Sequence, residues 1–321
     1  MITFDVLFSN VILFALLMIP GWLLGKLKGH DQGGMTFVSN ILTDIALPFL
    51  VFSKLIEIRL TDLSIAEIVI TVLISIIIPL ALYGIALAFF HNKDYDRRKL
   101  IAERFCSLFP NCGFLGIPLA EAIYPHIPKI AVLVSLYNVF STFMLLTLGI
   151  YVLSGSRQVF SLKKLLFRPI HFAIVFGVIF SLVGITDIFP MAQKYSHLLS
   201  QLTTPLSMTV LGFELSKQKL YKMFTTLAVY KVALLKLVVS PFIALFILLA
   251  LKYTFIPSVG GELVNAMIFS TGVSTAATAS SLAASNGIDS EHTAQLTLGN
   301  TILCTITLPL VCIIGGVMFG L

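Results

Sequence analysis

The feature that most limits what this chain can become is a series of apolar stretches. Each is roughly 20 residues long, the length of helix that crosses a ~30 Å hydrocarbon layer. Ten of them follow one another, near residues 5–26, 35–57, 65–90, 99–122, 129–153, 169–188, 194–215, 223–252, 262–285 and 292–319. In lipid every backbone N–H and C=O needs an internal partner, and helices supply one for nearly all of them. The reading is therefore an all-α integral membrane protein with ten transmembrane helices. Composition agrees: 58% of the 321 residues are hydrophobic and 11% charged, whereas soluble domains run near half and a quarter.

A net charge of +6 could suggest nucleic acid, but no segment is long enough to fold as a soluble basic domain. The Lys and Arg sit in short connectors, where cytoplasmic loops collect them. The bilayer is the expected partner, with no nucleic acid. Cys106, Cys112, Cys304 and Cys312 lie in apolar segments without metal spacing and read as buried free thiols. The N-terminus lacks a basic n-region and a cleavage site, so it reads as a retained span.

Basic residues alternate between connectors. Lys26 and Lys28 follow span 1, Lys93, Arg97, Arg98 and Lys99 follow span 3, Arg157, Lys163, Lys164 and Arg168 follow span 5, and Lys217, Lys219 and Lys222 follow span 7. The intervening connectors hold Lys54 and Arg59, then Lys129, Lys194 and Lys252. By the positive-inside rule the first set is cytoplasmic and both termini are extracytoplasmic. The acidic connector after span 9, "SNGIDSEH", gives no support.

Ten spans divide into five at 1–153, a cytoplasmic linker at 154–168 and five at 169–321. Five is odd, so the second set enters the membrane inverted, as in transporters built from inverted repeats. Pro48 and Pro205, in spans 2 and 7, stand 157 residues apart. The same offset carries Pro118 onto Thr275, while Pro79 and Pro241 match only approximately.

Spans 4 and 9 are irregular. Span 4 contains "FPNCGFLGIP", in which Pro118 removes a backbone donor while Gly113 and Gly116 ease departure from helical geometry. Span 9 reads "FSTGVSTAATASSLAASNG", nearly all small residues. At 1.5 Å per residue Asn111 lies ~16 Å into span 4, and Ser274 reaches a similar depth from the other face. Broken backbone at that depth needs protein or a water-filled cavity around it, so the two breaks are expected to cross at the midplane beside one. Helix N-termini facing it would carry partial positive charge and attract an anion. A small-residue face also serves plain helix packing, and for span 9 alone packing is the simpler reading.

Charged groups inside a membrane are costly and mark function by default. Asp44 lies ~14 Å into span 2 and Lys236 ~20 Å into span 8. Lys236 could hold a substrate carboxylate or pair with Asp44. Lys231, Glu103, Arg104 and Glu214 are shallower and read mainly as interfacial anchors. Asn138 and Asn300, in spans 5 and 10, either line the cavity or bond to neighbouring helices. His171, His197 and His292 sit near segment ends without metal spacing.

The stretches "SNILTDIALPFLVFSKL", "NCGFLGIPLAEAIY", "PLSMTVLGFELS" and "STAATASSLAASNGID" resemble the auxin efflux carrier family of plant auxin carriers and bacterial organic-acid transporters. The likeness covers nearly the whole chain, and Asn-x-Gly-Phe-x-Gly-x-Pro is its most specific part. It implies two inverted five-helix repeats like those of bile-acid symporters and cation antiporters. It implies a scaffold of spans 1, 2, 6 and 7, a transport domain of spans 3–5 and 8–10, and elevator-like movement. Homodimerisation through the scaffold and residence in the plasma membrane of a prokaryotic cell also go with it. Asn111 and Pro118 match central crossover positions. Where the family usually has proline, this chain has Ser274, which suggests a softer break or a different substrate contact.

The expected function is a secondary transporter or uniporter of a small mono- or dicarboxylate such as malate or malonate. Asn111, Gly113, Gly116, Pro118, Ser274, Thr275, Thr278, Asn138 and Lys236 are the candidate substrate residues. Asp44 and Asn300 are candidates for coupling or ion pairing. No cofactor or metal is expected, and no nucleotide-binding loop is present, so a gradient of H⁺, Na⁺ or substrate would drive it. The rivals are a sodium-coupled bile-acid-type carrier and a cation/proton antiporter. An antiporter would want carboxylates at the breaks, and spans 4 and 9 have none there. H-E-x-x-H and G-x-S-x-G are absent, which disfavours an intramembrane enzyme, and a channel lacks an obvious filter.

Overall fold

The structure is a computed structural model that describes residues 4–27, 32–57, 63–91, 96–154, 169–184, 189–217, 224–254 and 259–320. The elements are α1 Phe4–Leu27, α2 Gly33–Glu57, α3 Ile65–Phe89, α4 Arg97–Cys106, α5 Ile117–Ile123, α6 Pro128–Ser154, α7 Pro169–Val183, α8 Pro190–Ser200, α9 Thr203–Ser216, α10 Leu227–Thr254, α11 Gly261–Thr271, α12 Ala279–Ser285 and α13 Ser290–Phe319. Five of these, α2, α3, α6, α10 and α13, are long and apolar enough to cross a membrane. Half of the basic connector residues, Lys28, Arg59, Lys93, Arg157, Lys163, Lys164, Arg168, Lys219 and Lys222, and the linker from 155 to 168, lie outside the described residues.

The helices begin where their sequences supply caps. Ser64 and Glu67 form a reciprocal capping box at the start of α3, the arrangement that satisfies two otherwise orphaned backbone donors. Asp96 accepts from Arg98 N at 2.8 Å at the start of α4, and Asp289 accepts from His292 N at 2.9 Å at the start of α13.

Span 7, read as one helix, is two. Pro205 cannot donate to the carbonyl of Gln201 and its ring crowds that turn, so α8 ends at Ser200 and α9 starts at Thr203. Leu202 N accordingly bonds to Leu199 O in a tighter turn.

α1 packs along α9, and α2 packs against α7 and α8. α3 lies on α6, α11 packs against α6 and α13, and α13 also contacts α4 and α10. The α1–α9 seam is close at its glycines. A Cβ on Gly21 would sit 1.9 Å from Thr209 O, and one on Gly212 would sit 1.9 Å from Met18 O. Both approaches are to backbone, which cannot swing aside. Gly212→Val is therefore expected to separate the two helices at a cost of about 1–3 kcal/mol or more, read as a lower melting temperature in detergent.

Two ion-pair clusters tie helix ends together. Lys54 Nζ lies 3.0 Å from Glu57 and 2.9 Å from Glu121, joining α2 to α5. Lys129 Nζ lies 2.9 Å from Glu67 and 3.0 Å from Glu262, joining α6 to α3 and α11.

Candidate functional site

Both irregular spans are interrupted, and the interruptions touch. α4 stops at Cys106 and helix resumes with a π-helical turn, Cys112–Gly116, leading into α5. α11 stops at Thr271 and α12 begins at Ala279. Between these ends the two chains run antiparallel and form a bridge at Pro110 and Thr275. Asn111 N donates to Ser274 O at 2.7 Å, and Ala276 N donates to Phe109 O at 2.9 Å. Pro110 fits because the flanking residues make both bonds, so its missing donor is not needed. Each break thus satisfies the other's backbone, the condition for non-helical chain at membrane depth.

The break in span 4 falls at Ser107–Asn111, not at Pro118. Pro118 sits in the first turn of α5, where a missing N–H is tolerated. It accompanies the π turn instead, in which Ile117 N reaches back to Cys112 O. Gly116 serves close packing, whereas at Gly113 a Cβ would meet only ordinary van der Waals contact. A Cβ on Gly116 would come within 3.0 Å of Phe269 O, and one on Gly113 within 3.7 Å of Asn138 Oδ1.

Behind the bridge the polar side chains are sealed in. Ser274 and Thr275 are buried. Thr275 Oγ1 donates to Cys106 O at 2.7 Å, Asn300 Nδ2 donates to Thr275 Oγ1 at 2.9 Å, and Thr301 Oγ1 donates to Ser274 Oγ at 3.2 Å. Cys112 Sγ bonds Ser270 O at 3.1 Å and Cys304 Sγ bonds Gly272 O at 3.7 Å. Cys106, Cys112 and Cys304 are buried, while Cys312 is only half-buried.

Lys236 is fully buried, and its Nζ donates to Thr271 O at 2.8 Å, a carbonyl that also accepts from Ser240 Oγ at 3.1 Å. It neither lines the cavity beside the crossing nor pairs with Asp44. Instead it sits on the C-terminal end of α11, the negative end of that helix dipole.

In front of the bridge is a cavity of about 490 Å³. Phe109–Asn111, Gly113 and Phe114 line one side, Ala276–Thr278 another, and Asn138, Ser141 and Thr142 of α6 a third. The remaining wall comes from Ser39, Asn40, Thr43 and Asp44 of α2 and from Pro169–His171 at the start of α7. Of the residues singled out from sequence, Asn111, Gly113, Asn138, Thr278 and Asp44 meet here. Gly116, Pro118, Ser274, Thr275, Asn300 and Lys236 do not line it. His171, read from sequence only as a segment-end histidine without metal spacing, also lines it, and its position at a segment end carries no helical-periodicity signal. Thr142 could have been found, since it stands one turn beyond Asn138 and donates to its carbonyl at 2.7 Å.

Asn111 is 3% exposed and caps the π turn without a side-chain hydrogen bond, and its buried Nδ2 has no partner. Its carbonyl accepts from Leu115 and Gly116, which leaves the amides of Cys112, Gly113 and Phe114 as the orphaned first turn of a helix. Donors of this kind, with the positive end of a helix dipole, favour an anion.

Glu103 and His292 depart from the expectation of interfacial or segment-end positions. Both are buried, and Glu103 Oε1 lies 3.3 Å from His292 Nε2, joining α4 to α13. Arg104 Nε donates to Phe90 O at 3.0 Å, holding α4 to the end of α3. Lys231 is exposed.

Helices long and apolar enough to cross a membrane, with two interrupted helices meeting beside a polar cavity, suit a membrane transporter. The chain belongs to the membrane transport protein family, that of the auxin efflux carriers, whose model matches it twice, at residues 6–160 and 156–312. An uncharacterized transporter of Methanothermobacter thermautotrophicus is 24% identical over 304 residues, spanning 94% of this chain and 96% of that protein.

Proposed function

We propose that the protein is a secondary carrier of a small organic anion, a mono- or dicarboxylate of the size of malate or malonate, working by elevator-type alternating access. The observation that carries this is the unpartnered Asn111 amide at the start of an interrupted helix, beside a cavity large enough for such a solute. The carboxylate docks against Asn111 and the first-turn amides, with Asn138, Thr142 and Thr278 around it. Ser274, Thr275, Asn300 and Lys236 act from behind by fixing the bridge.

In this reading 1–153 and 169–321 are the two inverted repeats joined by the linker 154–168. The scaffold holds α1, α2 and α7–α9, the transport domain holds α3–α6 and α10–α13, and dimers form through the scaffold. A neighbouring chamber of about 500 Å³ shares Ser39, Asn40, Phe114, Ala277 and Thr278 with the cavity and extends to Lys217, Ser290 and Glu291. Those last residues border connectors expected on the cytoplasmic side, so the arrangement corresponds to an inward-open state. The Lys54–Glu121 pair, across α2 and α5, closes the opposite side. The gradient that drives the cycle is H⁺, Na⁺ or the membrane potential, which supplies about 2.3 kcal/mol per charge at 100 mV.

The test is uptake of radiolabelled malate, malonate and their monocarboxylate analogues by purified protein in proteoliposomes. Uptake above protein-free liposomes for at least one of them is expected. Uptake of none, with the protein folded, removes the plain mono- and dicarboxylates as the solute.

A further inference from the structure

The cavity has a second pole that a plain organic acid does not use. Asp44 belongs to the π-helical turn Leu42–Ala46 within α2, a local widening of the helix that often marks functional positions. Its carboxylate is exposed, accepts a hydrogen bond from Thr43 Oγ1 at 3.2 Å, and lines the same cavity as Asn111. The two walls are close. Leu47, one turn beyond Asp44 on α2, reaches within 3.8 Å of where a Gly113 Cβ would be, and the Asn138 carboxamide within 3.7 Å of the same point. A helical turn is about 5.4 Å, so Asp44 and the Asn111–Gly113 turn face one small volume.

The charges around that volume do not suit a second negative group. Among the described residues, Asp44 and His171 are the ionisable side chains lining the cavity. In the adjoining chamber Glu214 and Lys217 pair with each other at 2.5 Å, and Glu291 adds a further carboxylate. Among the described residues of the connected space, the carboxylates of Asp44, Glu214 and Glu291 outnumber the one lysine, Lys217, while Asn111 and the helix start form a local donor cluster. A solute fits both poles when it has a carboxylate for the donors and a cation for Asp44, separated by a few bonds.

We propose that the transported solute is a 2-amino acid, bound with its carboxylate on the Asn111 end and its ammonium against Asp44. This rests on the part of the proposed function that puts a carboxylate on the Asn111 end, and it replaces the plain acid there with a solute that also carries an ammonium group. Asp44 is then the residue that separates a 2-amino acid from the 2-hydroxy acid of the same size, because a hydroxyl offers it a neutral hydrogen bond and an ammonium a charge-assisted one.

The experiment is proteoliposome uptake of three size-matched pairs, alanine with lactate, aspartate with malate, and leucine with 2-hydroxyisocaproate, by the wild-type protein and by Asp44→Asn. In the wild type the amino member of at least one pair is expected to enter about tenfold faster than its hydroxy partner, a difference equivalent to one charge-assisted contact. In Asp44→Asn that ratio is expected to fall toward one. Hydroxy acids entering as fast as or faster than amino acids would overturn the assignment and leave the carboxylate reading standing, and the wild-type panel decides this even if the variant fails to fold. A ratio unchanged in folded Asp44→Asn would also overturn it, including the case where only the response to a pH gradient is lost. Uptake of no member of any pair, nor of the acids named above, would remove the carboxylate reading itself.

Discussion

Truncating Asn111 to alanine is expected to cut carrier-mediated uptake roughly ten- to a hundredfold while leaving the melting temperature unchanged or slightly raised. The two effects separate because the residue's backbone and side chain do different work. Its N–H and C=O hold the crossing, through Ser274 O, Leu115 N and Gly116 N, and alanine keeps all of these bonds. Its side-chain Nδ2 is buried without an acceptor, an arrangement that costs about 1–3 kcal/mol in the empty protein. Removing it relieves that cost. The same donor, once a carboxylate arrives, makes a hydrogen bond to a charged group worth roughly 1.5–3 kcal/mol, which sets the size of the expected loss at 1.4 kcal/mol per factor of ten. Uptake in proteoliposomes and thermal unfolding of the same preparation measure both. A large fall in melting temperature would show Asn111 to be structural, and unchanged uptake would show that the carboxylate docks elsewhere.

Lys236→Met is expected to leave the protein as stable or more stable, yet to reduce uptake at least several-fold. The amino group is fully buried with a single hydrogen bond, to Thr271 O. Taking a charged amino group out of water costs several kcal/mol, and a hydrogen bond of this kind returns only about 1.5–3. The desolvation term is the larger, so an apolar side chain of similar length does not destabilise. The cost is tolerated because the bond fixes the end of α11, three residues before Ser274, whose carbonyl takes the Asn111 N–H. Without it the extended segment loses its anchor and the Asn111 end loses its aim. Changing Asp44 to Ala as well is not expected to restore uptake, since the two residues share no contact. Restoration by that double change would mean that they interact during transport. A drop in melting temperature for Lys236→Met would mean that the bond outweighs desolvation.

The crossing was legible in the sequence and its chemistry partly so. Proline, glycine and asparagine crowded into an apolar run pointed to a break in span 4, while the small residues of span 9 taken alone fitted plain helix packing. The position of the span 4 break was misread because both Pro110 and Pro118 qualify as breakers. Only the antiparallel bridge with Thr275 shows that Pro110 stands where no donor is needed. The break in span 9 forms without a proline, since backbone bonds to Phe109 and Asn111 replace what a proline would impose. Lys236 and Asp44 were placed well inside their spans by counting along the helix, but such a count does not give direction. Lys236 turns to a carbonyl 35 residues on, a partner that no side-chain pattern reveals. Asp44 turns to the cavity because a π turn shifts its helix face, and a single inserted residue leaves almost no trace in periodicity. The packing between α2, α7 and the crossing is long-range in sequence, which is why His171 could not be placed beforehand.

The most direct measurement of whether the crossing cavity holds the solute is ligand protection of an introduced thiol. Thr142→Cys places one in the cavity beside Asn138, and Thr305→Cys places a control in the separate apolar cavity between α1, α9 and α13. Labelling by a small maleimide, with a transported solute at saturating concentration, is expected to slow several-fold at position 142 and to stay constant at position 305. Equal labelling of the Thr142→Cys protein with and without the solute would contradict the assignment of this cavity as the binding place.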